Sequence, residues 1–183
     1  MDGLMAGKYP LKKIQDRYNL QTQALGKKYP KGLAIHLVTT YNPEGPDILA
    51  GCWITNDQPQ IDIVIPKLLD IYYEKRAEGD GQWSQRMQNV LIVSILHEQD
   101  HLAFGSVIGS REHPSSLDEL VDSESKAWAL TCEQTLRPMI EEYQVPLTQS
   151  DHFYYDHWIQ SGRMETSPAW RKFIRDLYQS TRK

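Results

Sequence analysis

The sequence predicts an α+β protein in which a small, mostly antiparallel sheet packs on a long apolar helix. Three segments at 33–40, 48–55 and 60–65 are rich in β-branched and aromatic residues, and turn residues separate them. They predict three strands, the last two forming a hairpin. The run from Val90 to Leu96 is almost wholly apolar. A helix that is hydrophobic nearly all round is buried, so this run predicts a helix in the core.

The rest of the chain is predicted to be mainly helical. Apolar spacing of three and four residues predicts helices at 11–25 and 169–178, and Pro66 suits the first turn of a helix that follows it to residue 76. Ser84 is a candidate N-cap for the long apolar helix, which should end near Gly105. The segment 111–116 is a connection, and Ser116 with Glu119 has the capping-box pattern that starts the next helix. That helix should end near residue 137, before a proline.

Length and composition indicate one domain over 1–183 with a substantial core, ending in a helical, aromatic-rich C-terminal segment from about residue 145. Hydrophobic residues make up 40% and charged residues 24%, which is typical of a globular chain. The net charge of −4 and pI near 5.9 do not predict a nucleic-acid partner.

Targeting signals are not apparent in the sequence. The first ten residues contain no apolar signal-peptide core, and no apolar run approaches the roughly 18 residues of a membrane span. Only Cys52 and Cys132 are present, too few for a disulfide framework. We therefore expect a cytoplasmic protein with reduced thiols and no membrane partner.

The apolar helix ends in His97-Glu98-Gln99-Asp100-His101, a His-Glu-x-x-His motif. Residues four apart lie on one face of a helix, so His97 and His101 can direct two imidazoles at one metal ion. Glu98 lies beside that ion and can serve as the general base for a water molecule there. The alternative is a chance pentapeptide on a surface helix, which the preceding apolar run argues against.

A catalytic zinc site usually has a third protein ligand. The next predicted helix offers five acids, each of which could equally face solvent: Asp118, Glu119, Asp122, Glu124 and Glu133. Among them Glu124 is followed one turn later by Ala127, whose small side chain would allow a close approach of the two helices.

His97-Glu98-x-x-His101 followed by Glu124-x-x-Ala127 resembles the gluzincin group of zincin metallopeptidases over roughly residues 60–137. The resemblance implies a zincin-like fold, zinc bound by His97, His101 and Glu124, and Glu98 as general base. It also implies that an edge strand, here 60–65, binds a peptide or protein substrate by strand addition. In that group an aspartate four residues after the glutamate orients a histidine. Trp128 stands there, which leaves Asp100 and Asp122 as candidates for that role.

The same motif, read as His97-Glu98-Gln99-Asp100-His101-Leu102, is also similar to the signature of peptide deformylase. In that family a Gly-Cys pair upstream supplies the third ligand, which implies Cys52 after Gly51. The residues after Cys52 do not match that family, so Glu124 is our preferred third ligand and Cys52 the alternative.

Two functional questions stay open in the sequence. A donor for the oxyanion could come from the aromatic C-terminal segment, where Tyr155, His152 and His157 have suitable chemistry. The main hypothesis is a zinc-dependent peptide-bond hydrolase. The alternative from another class is a zincin-like domain that binds metal or a partner without turnover.

Overall fold

The structure is a computed structural model that describes residues 9–39, 49–77, 79, 81–103 and 116–180, with only the backbone of 75–77. The protein is α+β and mostly helical, with a small sheet of three strands. The predicted end of the long helix near Gly105 and the connection at 111–115 lie outside the described residues.

The elements follow one another in the order helix, three strands, then helices. They are α1 (Leu11–Lys28), β1 (Ala34–Val38), β2 (Ala50–Thr55), β3 (Gln58–Val64), α2 (Ile65–Ala77), α3 (Trp83–Ala103), α4 (Leu117–Thr131), α5 (Gln149–Gln160) and α6 (Pro168–Ser180). Two π-helical segments, Cys132–Leu136 and Pro138–Glu142, extend α4. All three predicted strands and all the predicted helices are therefore present.

The predicted hairpin is confirmed. Strands β2 and β3 are antiparallel and are joined by Asn56 and Asp57 alone. Both turn residues have positive φ, 51° and 61°. A two-residue hairpin turn of this kind matches the right-handed twist of the strands. Glycine tolerates a positive φ best, and asparagine and aspartate come next.

The strand order corrects two predictions. The order is β1-β3-β2, with β1 parallel to β3, so the sheet has one parallel and one antiparallel pair and is not mostly antiparallel. Strand β3, which covers the predicted edge strand 60–65, is the central strand. Its consecutive buried residues Ile61, Asp62 and Ile63 fit a strand covered on both faces and both edges. The edges belong to β1 and β2.

Helix α3 lies between two hydrophobic clusters and packs against α1, α4 and β2. Its residue Leu102 belongs to a cluster with Leu25 of α1 and Ile61 of β3. Its residue Val93 belongs to a second cluster that contains Trp158 of α5 and Trp170 of α6. The helix carrying the motif is therefore buried, as its apolar sequence predicted.

Helix α1 is present and turns most of its expected apolar face inward, with two polar residues buried beside it. Its apolar residue Leu11 is 81% exposed, whereas Arg17, Gln21 and Leu25 are buried at four-residue spacing. The polar residues Arg17 and Gln21 turn inward because both contact the buried carboxylate of Asp100 on α3. Apolar periodicity could not predict that these two polar residues are buried, because their burial depends on a charged partner elsewhere in the chain.

Two helix boundaries differ from the expectation. Helix α3 begins at Trp83, so Ser84 lies inside its first turn and is not its N-cap. Helix α4 does begin with the Ser116–Glu119 capping box, but the helical path continues past Pro138. Proline lacks an N–H and its ring collides with a carbonyl four residues back in an α-helix. The wider π-helical turns accommodate it.

The C-terminal segment folds back over α4. Helix α6 contacts α4, and Trp170 donates a hydrogen bond from Nε1 to the Ser125 carbonyl, 2.9 Å away. Surface ion pairs join Arg171 to Asp122 and Arg175 to Asp118. Among the described residues, the structure contains no helix long and apolar enough to cross a membrane.

Candidate metal site

The structure brings His97, His101 and Glu124 together in the interior. The Nε2 atoms of His97 and His101 are 3.2 Å apart, and each lies 3.5 Å from Oε2 of Glu124. One donor atom from each residue lies within 4.8 Å of the others, and all three side chains are buried. Close packing of α3 against α4 creates this group, with the small buried Ala127 one turn after Glu124.

These three atoms have the spacing of ligands around a tetrahedral metal ion. Zinc binds imidazole nitrogen and carboxylate oxygen at about 2.0–2.1 Å, which separates neighbouring tetrahedral ligands by roughly 3.3 Å. The observed separations of 3.2, 3.5 and 3.5 Å match that value. Oε2 of Glu124 also meets no well-aligned hydrogen-bond donor among the described residues. A buried carboxylate oxygen of this kind normally has a partner, and a metal ion would supply it.

The electrostatics of the group follow from its burial. Burial alone would lower the pKa of His101, but the carboxylates of Glu124, Glu98 and Asp100 outweigh it and raise the pKa to about 9. Burial alone would raise the pKa of Glu124, but the neighbouring imidazoles of His101 and His97 outweigh it and hold that pKa well below its usual value. Without a metal ion, the group therefore keeps a proton on His101 to balance the Glu124 charge.

Both histidines of the group have an outer hydrogen-bond partner. Nδ1 of His97 lies 3.2 Å from Oγ1 of Thr131, and Nδ1 of His101 lies 3.0 Å from Oγ of Ser123. These contacts direct the Nε2 atoms of both rings towards Glu124. Outer partners of this kind set the orientation of histidine ligands.

The third member is contacted from the C-terminal helix. The hydroxyl of Tyr178 on α6 lies beside the Glu124 carboxylate. It also contacts the hydroxyl of Tyr154 on α5. Burial, with Glu124 nearby, raises the pKa of Tyr178 well above its usual value, so the phenol is protonated.

The two candidates for an orienting aspartate differ in outcome. Asp100 is fully buried and accepts a hydrogen bond from Thr131, the partner of His97. Asp122 is half-buried and pairs with Lys126 and Arg171 instead. Only Asp100 is connected to the metal-site histidines through described hydrogen bonds.

Trp128 takes a packing role at the position where the resemblance expected an aspartate. Its ring lies on the His97 imidazole, with centroids 4.1 Å apart, and stacks on Tyr154 at 3.7 Å and 8°. The indole therefore restrains the imidazole ring by contact, whereas an aspartate would do so through a hydrogen bond.

Glu98 lies next to the three-residue group without belonging to it. Its carboxylate lies beside the thiol of Cys52 on β2. Burial, and then the negative charge of Glu98, raise the pKa of that thiol well above its usual value, so it stays protonated. Cys52 thus contacts the expected general base, and the group of three potential ligands contains Glu124 and not Cys52.

The expected oxyanion donors do not reach the group. Tyr155 donates a 2.5 Å hydrogen bond to Glu141, His152 is exposed, and His157 stacks on Phe173. The aromatic segment contributes Tyr154, because helical geometry turns adjacent residues about 100° apart and so onto different faces. Together with Tyr178 it forms the tyrosine pair beside Glu124.

Sequence reasoning missed five polar residues of this site: Arg17, Ser123, Thr131, Tyr154 and Tyr178. Ser123 and Thr131 lie on the same helix as Glu124, one before it and seven after it, so helical spacing could have placed both near its face. Arg17 and Tyr178 come from opposite ends of the chain, and no local pattern marks them.

Comparison with known proteins does not assign this chain to a family. No protein-family model, no curated protein and no solved structure matches it. The chemistry of the site is therefore inferred from its own residues.

Proposed function

We propose that this protein is a zinc-dependent hydrolase of peptide bonds, in which His97, His101 and Glu124 hold the metal ion and Glu98 is the general base. The observation that carries the proposal is the tetrahedral spacing of three buried donor atoms, 3.2 to 3.5 Å apart. Two nitrogen donors and one carboxylate are a frequent ligand set of catalytic zinc. The resemblance of the motif to gluzincins points to the same chemistry.

The roles of the residues follow from their chemistry and position. His97, His101 and Glu124 would hold a zinc ion that, when bound, would lower the pKa of its water to near 7 and polarise a carbonyl group. Glu98 accepts the water proton and returns it to the departing amine nitrogen. The protonated Cys52 thiol lies beside the Glu98 carboxylate. The tyrosine pair, Tyr154 and Tyr178, supplies protonated hydroxyls beside Glu124 and replaces Tyr155 as our candidate source of an oxyanion donor.

Strand β2 is the candidate docking edge for a peptide substrate. It is an edge strand, and the side chain of its central residue Cys52 contacts Glu98. An extended peptide recognised through main-chain hydrogen bonds adds to such an edge. Substrate would therefore lie along β2 with its scissile bond near Glu98.

The register of that edge can be read from the hairpin. The Val64 N–H donates to the Leu49 carbonyl at 2.9 Å, and hydrogen-bonded pairs alternate along antiparallel strands. With the pairing of β2 to β3, Gly51, Trp53 and Thr55 bond to β3. The main-chain groups of Ala50, Cys52 and Ile54 then point to the outer edge, with which no other described strand pairs.

The test is hydrolysis of a mixed peptide library by the zinc-loaded protein, with Glu98→Gln as the matched variant. We expect cleavage by the wild type and a loss of about 10²–10⁴-fold in Glu98→Gln, the usual contribution of a general base. Zinc content should be equal in the two proteins. If both bind zinc and neither cleaves any peptide, the protein is a metal-binding domain without turnover, the second hypothesis from the sequence.

A further inference from the structure

Thr131 joins the metal-site histidine His97 to a buried charge cluster. Its hydroxyl lies 3.2 Å from Nδ1 of His97 and donates to Oδ2 of Asp100 at 2.9 Å. Both Thr131 and Asp100 are fully buried, so water cannot substitute for either contact. The cluster continues to Arg17, whose Nη2 lies 2.5 Å from Oδ2 of Asp100, and to Gln21, which donates to Oδ1.

The direction of each hydrogen bond follows from counting protons. A threonine hydroxyl has one hydrogen and can also accept. The Asp100 carboxylate is paired with the Arg17 guanidinium and can only accept, so the Thr131 hydrogen goes to Asp100. The oxygen of Thr131 must then accept a hydrogen bond from Nδ1–H of His97.

We infer that Thr131 is a positioning residue that fixes the tautomer of His97 for metal binding. A neutral imidazole carries one N–H, and with the proton on Nδ1 the lone pair of Nε2 points towards the group formed with His101 and Glu124. The inference rests on the proposed metal site, and it adds a residue to which neither the motif nor the resemblance assigned a role.

The inference also makes the N-terminal helix part of the site. Asp100 holds the Thr131 hydroxyl in its accepting orientation only while its own charge is balanced, and that balance comes from Arg17 on α1. A chain of side-chain contacts from α1 through α3 and α4 thus ends at the His97 imidazole. Trp128 stands where the resemblance to gluzincins leads us to expect an aspartate, and it packs on the face of the His97 ring. The hydrogen-bond partner of Nδ1 of His97 is therefore Thr131.

The experiment compares zinc affinity in three variants. Thr131→Val removes the hydroxyl at nearly constant shape, and Thr131→Ser restores it. Thr135→Val is the matched control, because Thr135 is equally buried one turn later and its hydroxyl has no hydrogen-bond partner among the described residues. Affinity is measured by competition with a chromophoric chelator at one pH.

We expect Thr131→Val to weaken zinc binding about 10–100-fold, the usual effect of losing an outer partner of a histidine ligand. Thr131→Ser and Thr135→Val should bind zinc as the wild type does. Equal affinity in Thr131→Val and Thr131→Ser would overturn the inference while leaving the proposed function intact. A wild type that binds no zinc would overturn both.

A measurement on the unmodified protein covers the case in which Thr131→Val fails to fold. Long-range ¹H–¹⁵N correlation spectra of the metal-free wild type report which imidazole nitrogen of His97 carries the proton. We expect the proton on Nδ1. A proton on Nε2 would contradict the role of Thr131 even if the protein binds zinc.

Discussion

The thiol of Cys52 on β2 lies beside the carboxylate of Glu98 on α3. Cys52 is therefore placed against the expected general base, and the group of potential ligands comprises the two histidines and Glu124. The motif in the sequence was compatible with either Cys52 or Glu124 as third ligand. The geometry favours Glu124, since its Oε2 lies 3.5 Å from both imidazole nitrogens.

The first prediction separates these two residues by metal content. Glu124→Ala should lose zinc on dialysis because it removes one of three donor atoms, whereas Cys52→Ala should retain one equivalent. Glu133→Ala is the control, since Glu133 is another acid on the helical segment after the motif but forms a surface pair with Arg137 at 2.9 Å. Zinc is quantified by elemental analysis. Loss of zinc in Cys52→Ala with retention in Glu124→Ala would favour the deformylase-like hypothesis.

Local patterns predicted the elements of this fold well. The apolar run before His97 predicted the burial of α3, and Ser116 with Glu119 predicted the start of α4, because each signal acts within one or two helical turns. The strand segments were also identified, but their order was not. The central position of β3 depends on where β1 pairs, and that information is not contained in either segment.

The candidate site shows the same division between local and distant information. His97, Glu98 and His101 share one helix, so their spacing alone predicts a metal site. Glu124 required a resemblance, and Arg17 was not predicted at all because a buried arginine is inferred only from its partner, Asp100, 83 residues away. Sequence periodicity identified the apolar face of α1 that turns inward, but it could not identify the arginine buried beside that face.

The second prediction concerns protons. In the metal-free protein His101 has a pKa of about 9, raised chiefly by Glu124 against the opposing effect of burial. It is therefore protonated at neutral pH, and metal binding must displace that proton. Zinc binding at pH 7 should release about one proton, and affinity should rise roughly tenfold per pH unit up to about pH 9.

Proton release is measured by titration calorimetry in buffers of different ionisation enthalpy, and the pH dependence by chelator competition. Zinc affinity should rise with pH because only the neutral imidazole binds metal, and the raised pKa of His101 keeps that imidazole protonated at neutral pH. An affinity that does not change between about pH 7 and 8 would show that His101 is already neutral there and contradict the electrostatic description of the site.

The third prediction compares two tyrosines of the C-terminal segment. Tyr178→Phe removes the hydroxyl beside Glu124 and should weaken zinc binding about tenfold. Tyr155→Phe removes a hydrogen bond to Glu141, away from the site, and should cost about 1 kcal/mol of stability without changing affinity. Zinc competition and thermal unfolding distinguish the two effects. Equal affinity of the two variants would remove Tyr178 from the site.

The last prediction tests the docking edge. Only alternate residues of β2, namely Ala50, Cys52 and Ile54, direct main-chain groups to the outer edge. A substrate strand paired there must therefore also use alternate amides. In a series of cleavable peptides, each with one N-methylated amide, cleavage efficiency (kcat/KM) should fall about fivefold at every second position, the loss of one hydrogen bond of about 1 kcal/mol. The unmethylated peptide is the control. A fall of equal size at adjacent positions, or no fall at any position, would mean that substrate does not bind as an added strand on β2. The variants of the metal ligands test the metal site independently of this result.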